Sequence, residues 1–478
     1  MQESTRHQST LHVVMFPFFA FGHISPFVQL SNKLSTRGVR VTFLSAPNNI
    51  PRTRSSLVPH VRVVPLEIPH VPGLPSEVHS TADGAPALAE LLKLAIDRME
   101  PQVESLLGIL KPHLVIHDFS HQWMGRVGGE LGFKTLLFSV FASVSSSLLM
   151  VPARNNIKQM IQNTDFDEQQ LVNEMKKLPP EFPSTSIKSI PKYLAKDFLY
   201  VFKSFGSPSV FDRVMACMTS CDAIIYKSCI EMEGPYIDFI KSQYSKPVLL
   251  AGPVVPEPPV GELEDKWASW LGSFPAKSIV FTSFGSETFL TSSQVREVVE
   301  GIEMTGLPFM VVLNFQSDHD KEVELMKALP DGFMERVKSR GVVCTGWVQQ
   351  QQILSHESVG CFVNHAGFSS ITEGLVSDCQ LVFLPLKGDQ FVNAKLMGED
   401  LELGVEVRRD DEDGSFVKED VYKAVKSVME EDDEAGRLVR ANHEKWRKFL
   451  LDKEVHEGYM NNFVKDLKDL AFQTPSQE

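Results

Sequence analysis

Short runs of consecutive apolar residues recur along this chain, separated by longer stretches with helical spacing. A strand that is apolar without alternation must be buried on both faces. That is the situation of a strand inside a parallel sheet covered by crossover helices. Residues 11–16 (LHVVMF) are the clearest example, and 39–44, 61–66, 114–117, 223–226 and 248–250 repeat it. Between the first two, Phe27, Leu30 and Leu34 predict a helix over 26–35 that Gly38 ends. Four prolines within 253–259, followed by the acidic run 262–265, disfavour helix and ladder strand alike. Beyond them the pattern starts again, with strands over 278–283, 309–313, 342–345, 361–364 and 381–384 and a helix over 292–305. The chain therefore reads as α/β in two parallel-sheet domains, with a ligand expected between them. The expected division is 1–250, a linker over 251–275, a second domain over 276–455, and a closing helix and tail over 456–478.

Length agrees with two domains, since 478 residues is about three times the ~150 of a typical one. A hydrophobic share of 43% excludes disorder as a description of the whole. The formal net charge of −14 speaks against a general binder of nucleic acid or of anionic membranes, so any anion must be gripped locally. Six cysteines (Cys217, Cys221, Cys229, Cys344, Cys361, Cys379) form neither a disulfide scaffold nor a zinc pattern. The polar start of the chain lacks the apolar core of a signal peptide. The greasiest stretch, 136–151, is too short and too rich in serine to span a membrane. A cytoplasmic protein is the expectation.

The strongest chemical signal spans the 44 residues from Trp347 to Gln390. A strand ending at Asn364 would deliver His365, Gly367, Ser369 and Ser370 into the turn that opens a helix. Free backbone N–H groups at that helix start, with hydroxyls and an imidazole beside them, make a phosphate site. Glu373, one turn further on, can chelate a ribose diol. Trp347 offers a flat face for a base, and Asp389 with Gln390 offers partners for sugar hydroxyls. A base, a ribose, a diphosphate and a sugar together describe a nucleotide sugar. Singly, a strand-end histidine or a tryptophan is more often structural; chance poorly explains all of them in this order. No GxGxxG follows the first strand, no Walker loop, GxSxG or zinc spacing is present, and no Asp-x-Asp metal motif stands on a strand end.

This segment resembles the signature box of the plant family 1 UDP-sugar-dependent glycosyltransferases, and the likeness extends over essentially the whole chain. Trp347-Val-Gln-Gln350, His365-Ala-Gly367-Phe-Ser369-Ser370, Glu373-Gly374, Pro385, Asp389-Gln390 and the flanking Ser283-Phe-Gly-Ser286 carry it. The resemblance implies a GT-B fold with the acceptor in the first half and the UDP-sugar in the second. By the same likeness Trp347 and Val348 would border uracil, with Trp347 stacking, and Gln350 and Glu373 would hold ribose. His365, Gly367, Ser369 and Ser370 would form the diphosphate turn, Asp389 and Gln390 would hold the sugar, and Ser286 would face them. No cofactor is implied beyond the UDP-sugar as co-substrate; no metal is expected, and the chain should act as a monomer. The usual family run is His-Cys-Gly-Trp-Asn-Ser, so Phe368 and Ser369 depart from it. Asp389-Gln390 puts UDP-glucose first as donor, and those departures keep UDP-xylose and UDP-rhamnose open.

A second constellation is His23, just after the first strand, with Asp118, just after the strand at 114–117. Gly22 suits a tight turn there, and a helix N-terminus keeps an imidazole neutral and basic. A neutral histidine oriented by a buried aspartate is a general base for an acceptor hydroxyl, and the family places such a pair here. His117 should point to the opposite face. Finer likeness, in 16–23, Val348-Gln-Gln350 and 377–380, points to the branch that extends the sugar of flavonoid and anthocyanin glycosides. The apolar stretches 138–151 and 198–205 would then cover the aglycone. An aglycone glucosyltransferase, a nucleotide-sugar epimerase and a silent UDP-sugar-binding protein are the alternatives.

Overall fold

The computed structural model describes residues 10–472 except 85–86, 164–165, 254, 257, 260, 286–287, 316–319 and 431–432. Its described residues form two all-parallel sheets. The first holds β1 (His12–Phe16), β2 (Arg40–Ser45), β3 (Arg62–Pro65), β4 (Leu114–His117), β5 (Lys134–Ser139), β6 (Ala223–Tyr226) and β7 (Val248–Leu250), in the order β3-β2-β1-β4-β5-β6-β7. The second holds β8 (Ile279–Ser283), β9 (Phe309–Leu313), β10 (Gly341–Thr345), β11 (Val359–Asn364), β12 (Gln380–Phe383) and β13 (Gly404–Glu406), in the order β10-β9-β8-β11-β12-β13. Strands β1, β4, β8 and β11 are buried along their whole length. The unbroken apolar runs require this, because helices cover both faces of each sheet.

Each sheet reverses its winding once. In the first, β1 pairs with β2 on one side and β4 on the other; in the second, β8 sits between β9 and β11. At such a point the loops leaving neighbouring strands diverge and a crevice opens beyond their carboxyl ends. The loops after β1 and β4, and those after β8 and β11, therefore border the cleft.

Local differences from the apolar spacing have identifiable causes. Residues 136–151 read as one apolar stretch, and the structure divides it into the end of β5 and the helix Ser143–Leu149, every residue of which is buried. A helix buried all round carries no amphipathic signature. Two of its serines are satisfied inside, Ser143 Oγ donating to Glu233 and Ser147 Oγ to the Tyr236 carbonyl. Strand β13, three residues long, gives no pattern. The first helix runs Phe21–Ser35, starting five residues before the predicted position, with Pro26 inside it. Pro26 lacks the N–H that would reach the Gly22 carbonyl. A Cβ at Gly22 would meet nothing within 4 Å, so this first turn lies open. Gly22 is not in the left-handed region, so the expected glycine turn is a helix start instead.

The last two helices lie on different sheets. Glu434–Leu451 packs beside the second, Arg447 Nε donating to the Val376 carbonyl. Lys453–Phe472 lies on the first, where Met460, Phe463, Val464 and Leu467 join Val13, Phe27 and Ile225 in one core. Tyr459 accepts a hydrogen bond from the Ile230 N–H and donates to Glu231. No helix among the described residues is long and apolar enough to cross a membrane. Phe463→Ala, at a 1% exposed position, should cost about 3–5 kcal/mol. Urea unfolding should show a lower midpoint for the transition of the first sheet.

Candidate active site

His23 occupies the first turn of the helix Phe21–Ser35, and Asp118 follows β4. The His23 Nδ1 atom lies 2.8 Å from Asp118 Oδ2, with side-chain exposures of 13% and 2%. The same Oδ2 accepts from the Phe18 N–H at 3.1 Å, and Oδ1 from the Phe119 N–H at 2.7 Å. Burial alone would raise the Asp118 pKa, but the His23 ring and these backbone donors outweigh it and hold the carboxyl below its ordinary value. A carboxylate in this position selects the Nδ1–H tautomer and leaves Nε2 as the basic nitrogen. The rings of Phe18, Phe119 and Phe141 surround His23 with centroids 5.2–5.5 Å apart in successive pairs, starting from Phe18. His117 is fully buried, its pKa pushed down to about 4 by burial, and its Nδ1 engages the Asp118 carbonyl. It stands away from the cleft.

Across the cleft, β11 ends at Asn364 and the helix Phe368–Val376 begins three residues later. No side chain caps this helix, so its first N–H groups point outward unclaimed. Ala366 between them is left-handed at φ 58°, a rare conformation for a residue with a Cβ. Its N–H donates to Asn364 Oδ1 and its carbonyl accepts from Asn393 Nδ2, which hold it there. The His365 ring packs against Gly285 and Gly367: a Cβ at Gly285 would come 3.0 Å from His365 Cε1, and one at Gly367 would clash with Nε2. Burial, aided by Lys387, lowers the His365 pKa to about 4. The ring is thus neutral at ordinary pH and able to donate a hydrogen bond. Ser369 is exposed at the helix start and Ser370 is buried.

The remaining box residues divide by role. Glu373 is half-buried, and burial raises its pKa against hydrogen bonds from Gln350 Nε2 (2.6 Å) and Gln351 Nε2 (3.4 Å). Gln350 therefore orients Glu373. Trp347 projects with 83% exposure, the most of any described large apolar side chain, whereas Val348 is buried in the core and can offer only its backbone. Asp389 lies at the cleft; burial raises its pKa, opposed by Asn393, Lys227 and His23. That His23 and Asp389 feel each other's charge means that the two sheets' loops converge on one point. Gln390 is buried and spent internally: its Oε1 accepts from the Leu386 and Lys387 N–H groups, and its Nε2 lies 3.4 Å from Thr288 Oγ1. Ser286 lies outside the described residues.

Of the stretches expected to cover an aglycone, most side chains belong to the core. Phe138 packs on Phe27, and Phe198, Leu199 and Phe202 are buried. Only Phe141, Tyr200 and Phe205 are exposed aromatics there, the last two with rings 5.4 Å apart. Three residues had no role assigned from the sequence. Gln349 clamps the linker, donating to the Glu262 carbonyl and accepting from the Glu264 N–H. Asn393 ties Asp389 to the Ala366 turn. Lys227, directly after β6, faces Asp389; a lysine closing a buried strand was its visible signal. Among the described residues no group of three His, Cys, Asp or Glu side chains could hold a metal ion.

Two parallel-sheet units with facing switch points, one carrying a histidine–aspartate pair and the other an open helix start, define a glycosyltransferase of the GT-B class. A solved structure of a Phytolacca americana UGT2 with UDP-2fluoro-glucose and pterostilbene has this fold, at TM-score 0.74 and 21% identity over 97% of this chain and 100% of that one. Residues 262–455 match the model of the family described as UDP-glucoronosyl and UDP-glucosyl transferase. The chain is 50% identical to an anthocyanidin-3-O-glucoside rhamnosyltransferase of Petunia hybrida, over 98% of this chain and 99% of that one. It is 42% identical to a cyanidin 3-O-galactoside 2''-O-xylosyltransferase of Actinidia chinensis var. chinensis, over 96% and 99%. The chain belongs to the plant family 1 UDP-glycosyltransferases.

Substitution at the glycine behind His365 checks this half of the cleft. Gly285→Ala meets both a left-handed backbone (φ 72°) and the His365 ring. The strain is worth about 1–2 kcal/mol, so UDP affinity should drop about fivefold or more by calorimetry. Gly22→Ala, which meets nothing, should leave UDP affinity unchanged.

Proposed function

We propose that this enzyme transfers a sugar from a UDP-sugar, with inversion, to a hydroxyl on an acceptor that already carries a sugar. The His23–Asp118 contact of 2.8 Å, in reach of Asp389's charge, is the observation that carries the reaction type. His23 Nε2 takes the proton of the acceptor hydroxyl as its oxygen attacks the anomeric carbon. The bond from that carbon to the diphosphate breaks, and UDP leaves toward the open helix start at Phe368–Ser370. Asp118 stabilises the imidazolium that forms. Trp347 and Val348 are the uracil side of the site in this reading, and Gln350 with Glu373 the ribose side. His365, Gly367, Ser369 and Ser370 form the diphosphate turn, and Asp389 faces the sugar, with Gln390 shaping its loop. Ser286 is assigned to the facing loop by resemblance alone.

The acceptor assignment rests on the named activities of the relatives, both of which extend a sugar already attached to an anthocyanidin. The aromatic walls at Phe18, Phe119 and Phe141 fit a flat, apolar partner beside the reacting hydroxyl. For the donor, the argument for UDP-glucose used Asp389 and Gln390 as paired sugar ligands, and Gln390 is engaged within its own loop. Together with the 50% identical rhamnosyltransferase, this favours UDP-rhamnose over UDP-glucose and UDP-xylose.

His23→Ala should lower kcat by roughly 10²–10⁴ with UDP affinity nearly intact; retention of a third of the activity would exclude the base assignment. Trp347→Ala should weaken UDP and UDP-sugar alike by about 1–3 kcal/mol. A panel of the three donors against a flavonol, its 3-O-glucoside and an anthocyanidin 3-O-glucoside, read by mass spectrometry, tests the substrates. Turnover should be greatest with UDP-rhamnose and the glucosides. Equal turnover of the free flavonol would overturn the acceptor reading, and preference for another donor the rhamnose reading.

A further inference from the structure

Lys227 follows β6 at the same carboxyl edge of the first sheet that holds His23 and Asp118. Its side chain is only 5% exposed. The ammonium lies 5.2 Å from the centroid of the Phe368 ring, the first residue of the helix behind His365. Among the described residues it makes no hydrogen bond and no ion pair within 4.0 Å. Two carboxylates act on it through space, Asp389 from the loop after β12 and Glu233 from the helix after β6. Glu233 is already used, accepting from Ser143 Oγ and the Val144 N–H at 2.9 Å each. Asp389 is held on its far side by Asn393.

An ammonium and a carboxylate near enough to act on each other, yet more than 4.0 Å apart, leave a polar gap between them. A sugar hydroxyl fits it chemically, because its oxygen accepts from the ammonium while its proton goes to the carboxylate. Stability alone does not account for the lysine. A buried ammonium without a hydrogen bond costs free energy, and a methionine of similar length would avoid that cost. Burial lowers the Lys227 pKa to about 8, with Asp389 and Glu233 opposing, which is the signature of a charge kept out of water. We propose that Lys227 is a donor-sugar residue, its ammonium donating to a hydroxyl of the transferred sugar that Asp389 accepts from. This rests on the reading that Asp389 faces that sugar. The first sheet thereby senses whether the second is loaded.

The test uses the full chain carrying Lys227→Met, Lys227→Arg, Asp389→Asn and the Met/Asn double variant, with the UDP-sugar that the wild type uses best. Lys227→Met should lower kcat/KM for the donor about 10–100-fold, as for loss of a charged hydrogen bond. It should leave UDP affinity within about twofold and the melting temperature no lower than wild type. The double variant should be no worse than the poorer single one, because both residues hold the same hydroxyl. Wild-type donor kcat/KM should fall above about pH 8 as the ammonium loses its proton, and Lys227→Arg should remove that limb. Equal weakening of UDP and UDP-sugar would place the ammonium on the diphosphate, and a change confined to the acceptor KM would place it on the acceptor. Additive losses would separate the two residues; each of these outcomes overturns the proposal. A harmless Asp389→Asn beside a damaging Lys227→Met would defeat the Asp389 reading itself. If Lys227→Met does not fold, the pH profile of Lys227→Arg decides.

Discussion

The cleft edge of the first sheet is organised around one buried carboxylate. Asp118 accepts from the His23 ring and from the N–H groups of Phe18 and Phe119. Desolvation would otherwise return it to the neutral acid, so the three donors keep it charged. In doing so they tie the chain leaving β1 to the chain leaving β4, the two strands between which the sheet changes direction. The crevice, the tautomer of His23 and the direction of its basic nitrogen all follow from that fixation. Replacing the charge with an amide would preserve much of the shape and lose the preference among tautomers.

The second sheet solves a different problem. In a chain whose formal net charge is −14, it sets a neutral imidazole and open backbone dipoles beside the end of β11. Those dipoles are available because Ala366 is held left-handed, which turns β11 into its helix without a capping side chain. Asn393 transmits the geometry of that turn to Asp389. The turn at Ala366 and the loop at Asp389 are therefore tied together. Gln350 and Gln351 hold Glu373 in place, donating to a carboxyl whose pKa burial raises.

Much of this was legible from residue order. Strands β4, β6, β7 and β9 have the bounds that the apolar runs predict, because each run is flanked by polar or breaking residues. Strand β5 and the helix after it were not separable, since burial on every side erases the contrast that periodicity needs. At the site, His23, Asp118 and the box from Trp347 to Gln390 stood out by type and spacing. The division of labour among them did not. Gln390 is hydrogen-bonded to Leu386 and Lys387 in its own loop, and Val348 lies in the core. Nothing in a linear reading distinguishes an amide that faces a ligand from one that braces a loop.

By itself, the sequence determined that the sheets are parallel and doubly covered, that there are two of them, and where most of their strands lie. These are consequences of local apolar content, which acts on each segment whatever its neighbours do. Tertiary structure decided which strand ends meet. His23 and Asp118 are separated by 95 positions, and Lys227 and Asp389 lie on different sheets. Their pairing depends on strand order and on the docking of one sheet against the other, through contacts such as Tyr236 Oη with Asp400 at 2.7 Å. Tertiary structure also settled which charges are buried, and hence which protons are held. A carboxylate, an imidazole or an ammonium has an ordinary pKa until water is removed from around it, and only the assembled cleft removes that water.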